Sequence, residues 1–217
     1  MSNEPSPEQS PEQVPEEQPD AAGSASEHRA KMQALKDAMG AKIRAATERR
    51  DLVIVHTGDG KGKSTAAFGM LARNVGRRRK SVVVQFVKAG DTAVRDAFAG
   101  DFLEWHFAGG GFTWDTQNRD ADAAHARAGW EIALAALRDP AARFVVLDEL
   151  NIVLACDCLP VSEVIAGLRG RAAGKHVVIT GRNAPPELIE FADLVTEFRE
   201  VKHPFADGVR AQEGVEF

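Results

Sequence analysis

The stretch His56-Thr57-Gly58-Asp59-Gly60-Lys61-Gly62-Lys63-Ser64-Thr65 constrains this chain more than any other. It follows an apolar run, Leu52-Val53-Ile54-Val55, and leads into an alanine-rich segment, Thr65-Ala66-Ala67-Phe68-Gly69-Met70-Leu71-Ala72. Strand, glycine-rich turn and helix in that order are the context a phosphate-binding loop requires. Glycines let the backbone fold around phosphate oxygens and turn its N–H groups inward. The helix opening at Lys63 adds its partial positive N-terminus. Lys63 brings a full charge, and the Ser64 hydroxyl is suited to Mg²⁺. The motif departs from GxxxxGKS/T at its first position, which Thr57 fills, while Gly58, Gly60 and Gly62 alternate. A turn that binds nothing is the bland reading, and Lys-Ser at the helix start argues against it.

The rest of the chain alternates strands with helices. Ser81-Val82-Val83-Val84-Gln85-Phe86-Val87 is a second strand, apolar enough to be covered on both faces. A short helix follows near Thr92–Phe98, then a third strand, Phe102–Phe107. Asp120 to about Leu137 is an alanine-rich helix ended before Pro140. Arg143-Phe144-Val145-Val146-Leu147-Asp148-Glu149 is a fourth strand with two carboxylates at its end, where they would meet Mg²⁺ on the edge that carries the phosphate loop. In the bland alternative Asp148 only caps a turn. A helix over Pro160–Arg171, a strand over His176–Thr180, a short helix over Pro185–Phe191 and a sixth strand over Leu194–Phe198 complete the pattern, with an irregular polar stretch over Val201–Gln212. Such alternation predicts a parallel α/β sheet of about six strands with helices on both faces. Its ligand site belongs at the strand C-termini, where Thr57, Asp148 and Thr180 fall.

Outside this domain, placed at 51–217, two segments stand apart. Residues 1–26 hold five of the ten prolines among Glu, Gln and Ser, and form an acidic tail too polar to offset its ordering entropy. Over 27–50, Met32, Leu35, Met39, Ile43 and Ala46 recur at helical spacing, an amphipathic helix weakened by Gly40. Net charge is −5, which argues against a general nucleic-acid binder, and Arg77-Arg78-Arg79-Lys80 reads as a solvated connector. Cys156 and Cys158 are too close for an ordinary bridge and too few for a zinc set, so they read as reduced thiols of a cytoplasmic protein. No apolar run approaches transmembrane length, and the N-terminus lacks a signal-peptide pattern. Gly109-Gly110-Gly111-Phe112-Thr113-Trp114 leaves two readings open: aromatics that cap a core edge, or a flexible apolar lid over a ligand.

Several of these segments together carry a resemblance. Gly58–Gly69, Val84-Gln85-Phe86-Val87-Lys88, Gly111-Phe112-Thr113-Trp114, Val146-Leu147-Asp148-Glu149-Leu150, Ile179-Thr180-Gly181-Arg182 and Val201-Lys202-His203 closely resemble the ATP:corrinoid adenosyltransferases that act on cob(I)alamin and cob(I)yrinic acid a,c-diamide. The match runs in order over about residues 27–217. The phosphate loop is shared with many unrelated proteins, whereas GFTW together with VKH is specific.

The resemblance implies a RecA-like P-loop fold, a homodimer, and alkyl transfer rather than hydrolysis. Cobalt(I) of a reduced corrinoid attacks C5′ of ATP, an adenosyl–cobalt bond forms and triphosphate leaves. It also implies that ATP lies reversed, its γ-phosphate where other P-loop proteins hold the α-phosphate. By position, Gly58, Asp59, Gly60, Lys61, Gly62, Lys63, Ser64 and Thr65 would bind the phosphates, Lys63 acting as electrophile on the leaving group. Ser64 with Glu149 or Asp148 would hold Mg²⁺. Phe112 and Trp114 would press on the lower corrin face and displace its axial ligand, and the N-terminal helix would cover the site in the dimer. An electron-donating flavoprotein is the expected further partner; nucleic acid and membrane are not. Asp59 stands where many relatives carry Asn, and Ser64 where Thr is commoner. Two rivals remain at this point: a P-loop ATPase or kinase cleaving at the γ-phosphate with Glu149 as base, and a carrier that binds nucleotide or corrinoid without turnover.

Overall fold

The structure is a computed structural model that describes residues 21–87, 93–110 and 118–215. The tail up to residue 20, Lys88 and the Gly111–Trp114 motif lie outside these residues. The chain divides into two units, meeting between Arg49 and Arg50. The first contains helix α1 (Ala21–Ala45). This helix begins earlier than the hydrophobic repeat suggested, since Ala21 and Ala22 are strong helix formers. Met32, Leu35, Met39 and Ile43 are all exposed.

In the second unit, β1 (Val53–Thr57), α2 (Lys63–Val75), β2 (Ser81–Gln85), α3 (Ala93–Ala97), β3 (Leu103–Phe107) and α4 (Arg119–Arg138) come first. They are followed by β4 (Phe144–Asp148), α5 (Leu150–Ala155), α6 (Val161–Arg169), β5 (His176–Thr180), α7 (Pro186–Phe191) and β6 (Leu194–Glu197). The six strands form one sheet in the order β3-β2-β4-β5-β1-β6, every neighbouring pair parallel. This is the architecture of a RecA-like P-loop fold, as the resemblance implied.

Alternation along each strand sorts the core into two layers. Val53 and Val55, Val82 and Val84, Val145 and Leu147, Val177 and Ile179 pack one face against Trp130, Leu137, Leu150, Leu168 and Leu188 from α4–α7. Ile54, Val83, Phe144, Val146 and Val178 pack the other face against Ala67 and Leu71 of α2. Burial on both sides explains why β1, β2 and β4 read as continuous apolar runs. Among the described residues, no helix is long and apolar enough to cross a membrane.

Two local readings need correcting. Glu149 is not part of β4: it adopts a left-handed conformation (φ 63°) and caps α5. That six-residue helix was missed because it is too short to show a helical period. Finally, the stretch after β6 contains a short 3₁₀ helix, Pro204–Asp207, where the His203 ring accepts from the Phe205 N–H.

Candidate active site

Three strands deliver the chemistry to one edge of the sheet. β1 ends at Thr57, β4 at Asp148 and β5 at Thr180, with β5 lying between the other two. The phosphate loop leaves β1 and opens α2. Gly62 takes φ 107°, a left-handed value that a side chain would resist, and no side chain caps the helix. No acidic residue occupies its first turn. The helix therefore presents uncapped N–H groups and its positive end, the physical requirement for an anion.

Lys63 is the first residue of α2 and only 8% exposed. Its ammonium donates to the carbonyls of Gly58 (2.7 Å) and Gly60 (2.6 Å), so the charge lies across the loop. Burial lowers its pKa, opposed chiefly by the negative charge of Glu149. A triphosphate would add counter-charge to that of Glu149 around the ammonium.

Asp148 is fully buried and held from both sides. The Thr180 hydroxyl donates to Oδ1 at 2.7 Å, and the Gln85 amide donates to Oδ2 at 2.7 Å. Gln85 in turn accepts from the Trp105 indole N–H at 3.0 Å, and Thr180 Oγ1 accepts from the Glu149 N–H at 3.0 Å. Four elements thus fix one carboxylate, and the bland reading of Asp148 as a mere turn cap does not hold. The same network puts Glu149 in its left-handed conformation beside Gly181, a strained position of the kind that collects at functional sites. Gln85→Leu is expected to cost roughly 2 kcal/mol by stranding Asp148 Oδ2 and the Trp105 N–H. Denaturant unfolding checks this; an unchanged midpoint would mean the network contributes nothing.

Among the described residues no three acidic, His or Cys side chains cluster as a metal cage. Mg²⁺ does not require one, because it takes one or two carboxylates, keeps several waters and completes its shell with substrate phosphate. Ser64 in the first turn of α2, with Asp148 and Glu149 at the end of β4, offers hard oxygen donors of that kind. By donor chemistry alone, hydroxyl and carboxylate oxygens with no thiol or imidazole among them, this set suits such a cation.

The departures from the motif also find a place. Thr57 is buried; its hydroxyl accepts from the Ala184 N–H (3.1 Å) and its carbonyl from the Phe198 N–H (2.8 Å). Asp59 is exposed, and its carbonyl accepts from Arg182 (3.2 Å). Lys61 and Thr65 are exposed on the same loop and helix turn. Cys156 and Cys158 are both free. Phe112 and Trp114, predicted to be catalytic, lie outside the described residues. Sequence reasoning gave no role to Gln85, to Thr180, which it placed only at the ligand edge, or to Asn151 and Phe198. A polar residue closing an apolar strand was the available signal for the first two. Asn151, which ties the His56 and Gly181 carbonyls together (3.3 and 2.9 Å), offered none.

A family model described as ATP:corrinoid adenosyltransferase BtuR/CobO/CobP matches residues 49–217. The chain is 47% identical over 193 residues to a corrinoid adenosyltransferase of Pseudomonas aeruginosa, covering 88% of this chain and 95% of that protein. It is 44% identical over 197 residues to one of Sinorhizobium sp, covering 88% and 92%. Over 195 residues it is 42% identical to the corrinoid adenosyltransferase CobA of Salmonella typhimurium, covering 89% and 100%.

Proposed function

Since the chain belongs to the ATP:corrinoid adenosyltransferase family, we propose that its phosphate loop grips the triphosphate of ATP as a leaving group while C5′ faces the cobalt of a reduced corrinoid. The reaction is adenosyl transfer, a step of cobalamin biosynthesis. The cobalt(I) electron pair forms the bond to C5′, the C5′–O bond breaks, and its electrons leave on the triphosphate. Atoms and electrons balance without a proton. The observation that carries this reading is the buried Lys63 ammonium, laid across a loop that opens an uncapped helix.

Each residue then has a task. Gly58, Asp59, Gly60, Lys61, Gly62, Lys63, Ser64 and Thr65 surround the phosphates. Lys63 and the helix N-terminus stabilise charge that grows on the leaving group, which is where preorganised electrostatics contribute most. ATP lies reversed along the loop, which leaves the ribose carbon free to meet the corrinoid. Ser64 with Glu149 and Asp148 would hold Mg²⁺, which when bound supplies further positive charge to the triphosphate. Thr180 and Gln85 orient Asp148, and Glu149 balances the Lys63 charge before ATP arrives.

Phe112 and Trp114 are the catalytic aromatics of this proposal. They press on the lower corrin face and displace the axial ligand, leaving four-coordinate cobalt(II), which is easier to reduce. Trp114→Ala is therefore expected to slow reactions that start from cobalt(II) more than those that start from chemically reduced cobalt(I). Parallel assays from the two states check this, and equal loss in both would remove the ligand-displacement role. A flavoprotein electron donor, a homodimer whose N-terminal helix covers the site, and a cytoplasmic setting complete the proposal. The free cysteines support that setting.

The rival ATPase is separated by what ATP becomes. Incubated with Mg-ATP and no corrinoid, the protein is expected to release no orthophosphate. Steady orthophosphate release, with or without corrinoid, would instead assign Glu149 as the base of a hydrolase.

A further inference from the structure

The phosphate loop of this chain is held from outside by the residues that leave β6. The β1–β6 ladder ends with Thr57 opposite Glu197. Two more bonds carry the pairing into the loop itself: the Phe198 N–H donates to the Thr57 carbonyl at 2.8 Å, and the Gly60 N–H donates to the Phe198 carbonyl at 2.7 Å. The Phe198 ring then stands edge-on to His56, with centroids 5.4 Å apart. Its edge carbons lie 3.4 and 3.5 Å from where a β-carbon on Gly62 would be. His56 in turn meets the Lys63 carbonyl through Nδ1 at 3.1 Å. The contacts run from Thr57 to Lys63, the whole length of the loop.

This arrangement accounts for the alternating glycines. Gly58 and Gly62 have left-handed φ values and would be glycine on that ground alone. Gly60 does not have one. Its φ therefore does not demand glycine, yet a β-carbon there would lie 2.7 Å from the Arg199 carbonyl carbon and 2.8 Å from its oxygen. These are backbone atoms and cannot swing aside as a long side chain would. A β-carbon on Gly58 would likewise overlap the Phe198 carbonyl. The Gly60 N–H, being committed to Phe198, is also not one of the donors that face a phosphate.

We propose that residues 197–199 form a backbone strap that holds the phosphate loop in its anion-binding shape, that Gly60 is glycine to admit the strap, and that Phe198 is the positioning residue that anchors it. This rests on the reading of the loop as the ATP triphosphate site. The strap acts before substrate arrives. A loop already held in one shape binds triphosphate without first ordering itself, so loss of the strap appears in ATP affinity. The strap contacts the phosphate loop, so at saturating ATP the KM for corrinoid is expected to stay as in the wild type.

The test measures binding of Mg-ATP and of inorganic tripolyphosphate by calorimetry, with amide hydrogen exchange over residues 53–62. Gly60→Ala and Phe198→Ala are each expected to weaken both ligands about tenfold or more, with the KM for corrinoid unchanged. Phe198→Leu, which keeps an apolar anchor, is expected to recover most of the loss. In Phe198→Ala the amides of the loop should exchange faster than in the wild type. Because both substitutions act through one strap, the double variant is expected to lose less than the product of the two single effects. Wild-type affinity in both variants, independent multiplying losses, or unchanged loop exchange in Phe198→Ala would each overturn the strap. Should Gly60→Ala fail to fold, the Phe198 pair decides alone. A wild-type protein that bound neither ligand would overturn the ATP-site reading itself, and the strap's role with it.

Discussion

Replacing Lys63 with alanine is expected to lower kcat/KM for adenosyl transfer by about 10²–10³-fold or more, the loss seen when one preorganised group is removed from a developing negative charge. The ammonium is buried, and its two bonds to the Gly58 and Gly60 carbonyls give it a defined place over the loop. Charge grows on the triphosphate as the C5′–O bond breaks, so the interaction strengthens toward the transition state. The larger effect is therefore expected on kcat, with a smaller one on the KM for ATP. Steady-state kinetics with chemically reduced cobalt(I) corrinoid separate the two. A rise in KM with kcat unchanged would mean that Lys63 only binds ATP and does not assist departure of the leaving group.

The second large effect is on stability and lies far from the chemistry in sequence. Lys175 is fully buried one residue before β5. Its ammonium donates to the carbonyls of Ala136 (2.8 Å), Asp139 (2.8 Å) and Ala142 (2.5 Å), using all three of its protons. The acceptors lie in the last turn of α4 and in the connection to β4, where a helix runs out of backbone donors for its carbonyls and its dipole is negative; of the three, the Asp139 carbonyl also accepts from the Ala142 N–H. Lys175→Met keeps the stem volume and removes every donor. The Asp139 carbonyl keeps the Ala142 N–H (3.2 Å), so the Ala136 and Ala142 carbonyls are stranded at about 1–3 kcal/mol each, and a loss of roughly 2 kcal/mol or more is expected. In a domain of this size that corresponds to a melting midpoint lower by about 4–8 °C. An unchanged midpoint would show that the carbonyls find other partners.

Lys175 also has a signature in pH. Burial lowers its pKa in the folded protein below the ordinary 10.5, with the Asp139 charge opposing the shift. Between that lowered value and 10.5 the unfolded chain binds the proton more tightly, so this residue makes stability rise with pH across that window. The stability difference between wild type and Lys175→Met is expected to widen there in the wild type's favour.

Much of the fold was legible because strands buried on both faces must be apolar throughout. Val82-Val83-Val84 and Phe144-Val145-Val146-Leu147 announce themselves, and the glycine-rich turn after β1 places the phosphate loop without further help. What stayed hidden was relational. Nothing local in Gln85 says that it meets Asp148, 63 positions away, since that contact exists only once β2 and β4 are neighbours. Phe198 reads as the last residue of an ordinary strand; its bond to Gly60 follows from the placement of β6 beside β1. Glu149 was assigned to a strand because its left-handed turn is imposed by Thr180 on another strand rather than by any neighbour in sequence. Lys175, read alone, is one more charged residue between a helix and a strand.

The most direct measurement is an anaerobic reaction of the protein with Mg-ATP, carrying ¹³C at C5′, and chemically reduced cob(I)alamin. It follows the light-sensitive adenosylcobalamin spectrum, the labelled carbon and the phosphate products together. The expected result is labelled carbon bonded to cobalt, with one tripolyphosphate released for each adenosylcobalamin formed. Orthophosphate without a cobalt–carbon product, or binding of both substrates with no product at all, would contradict the account.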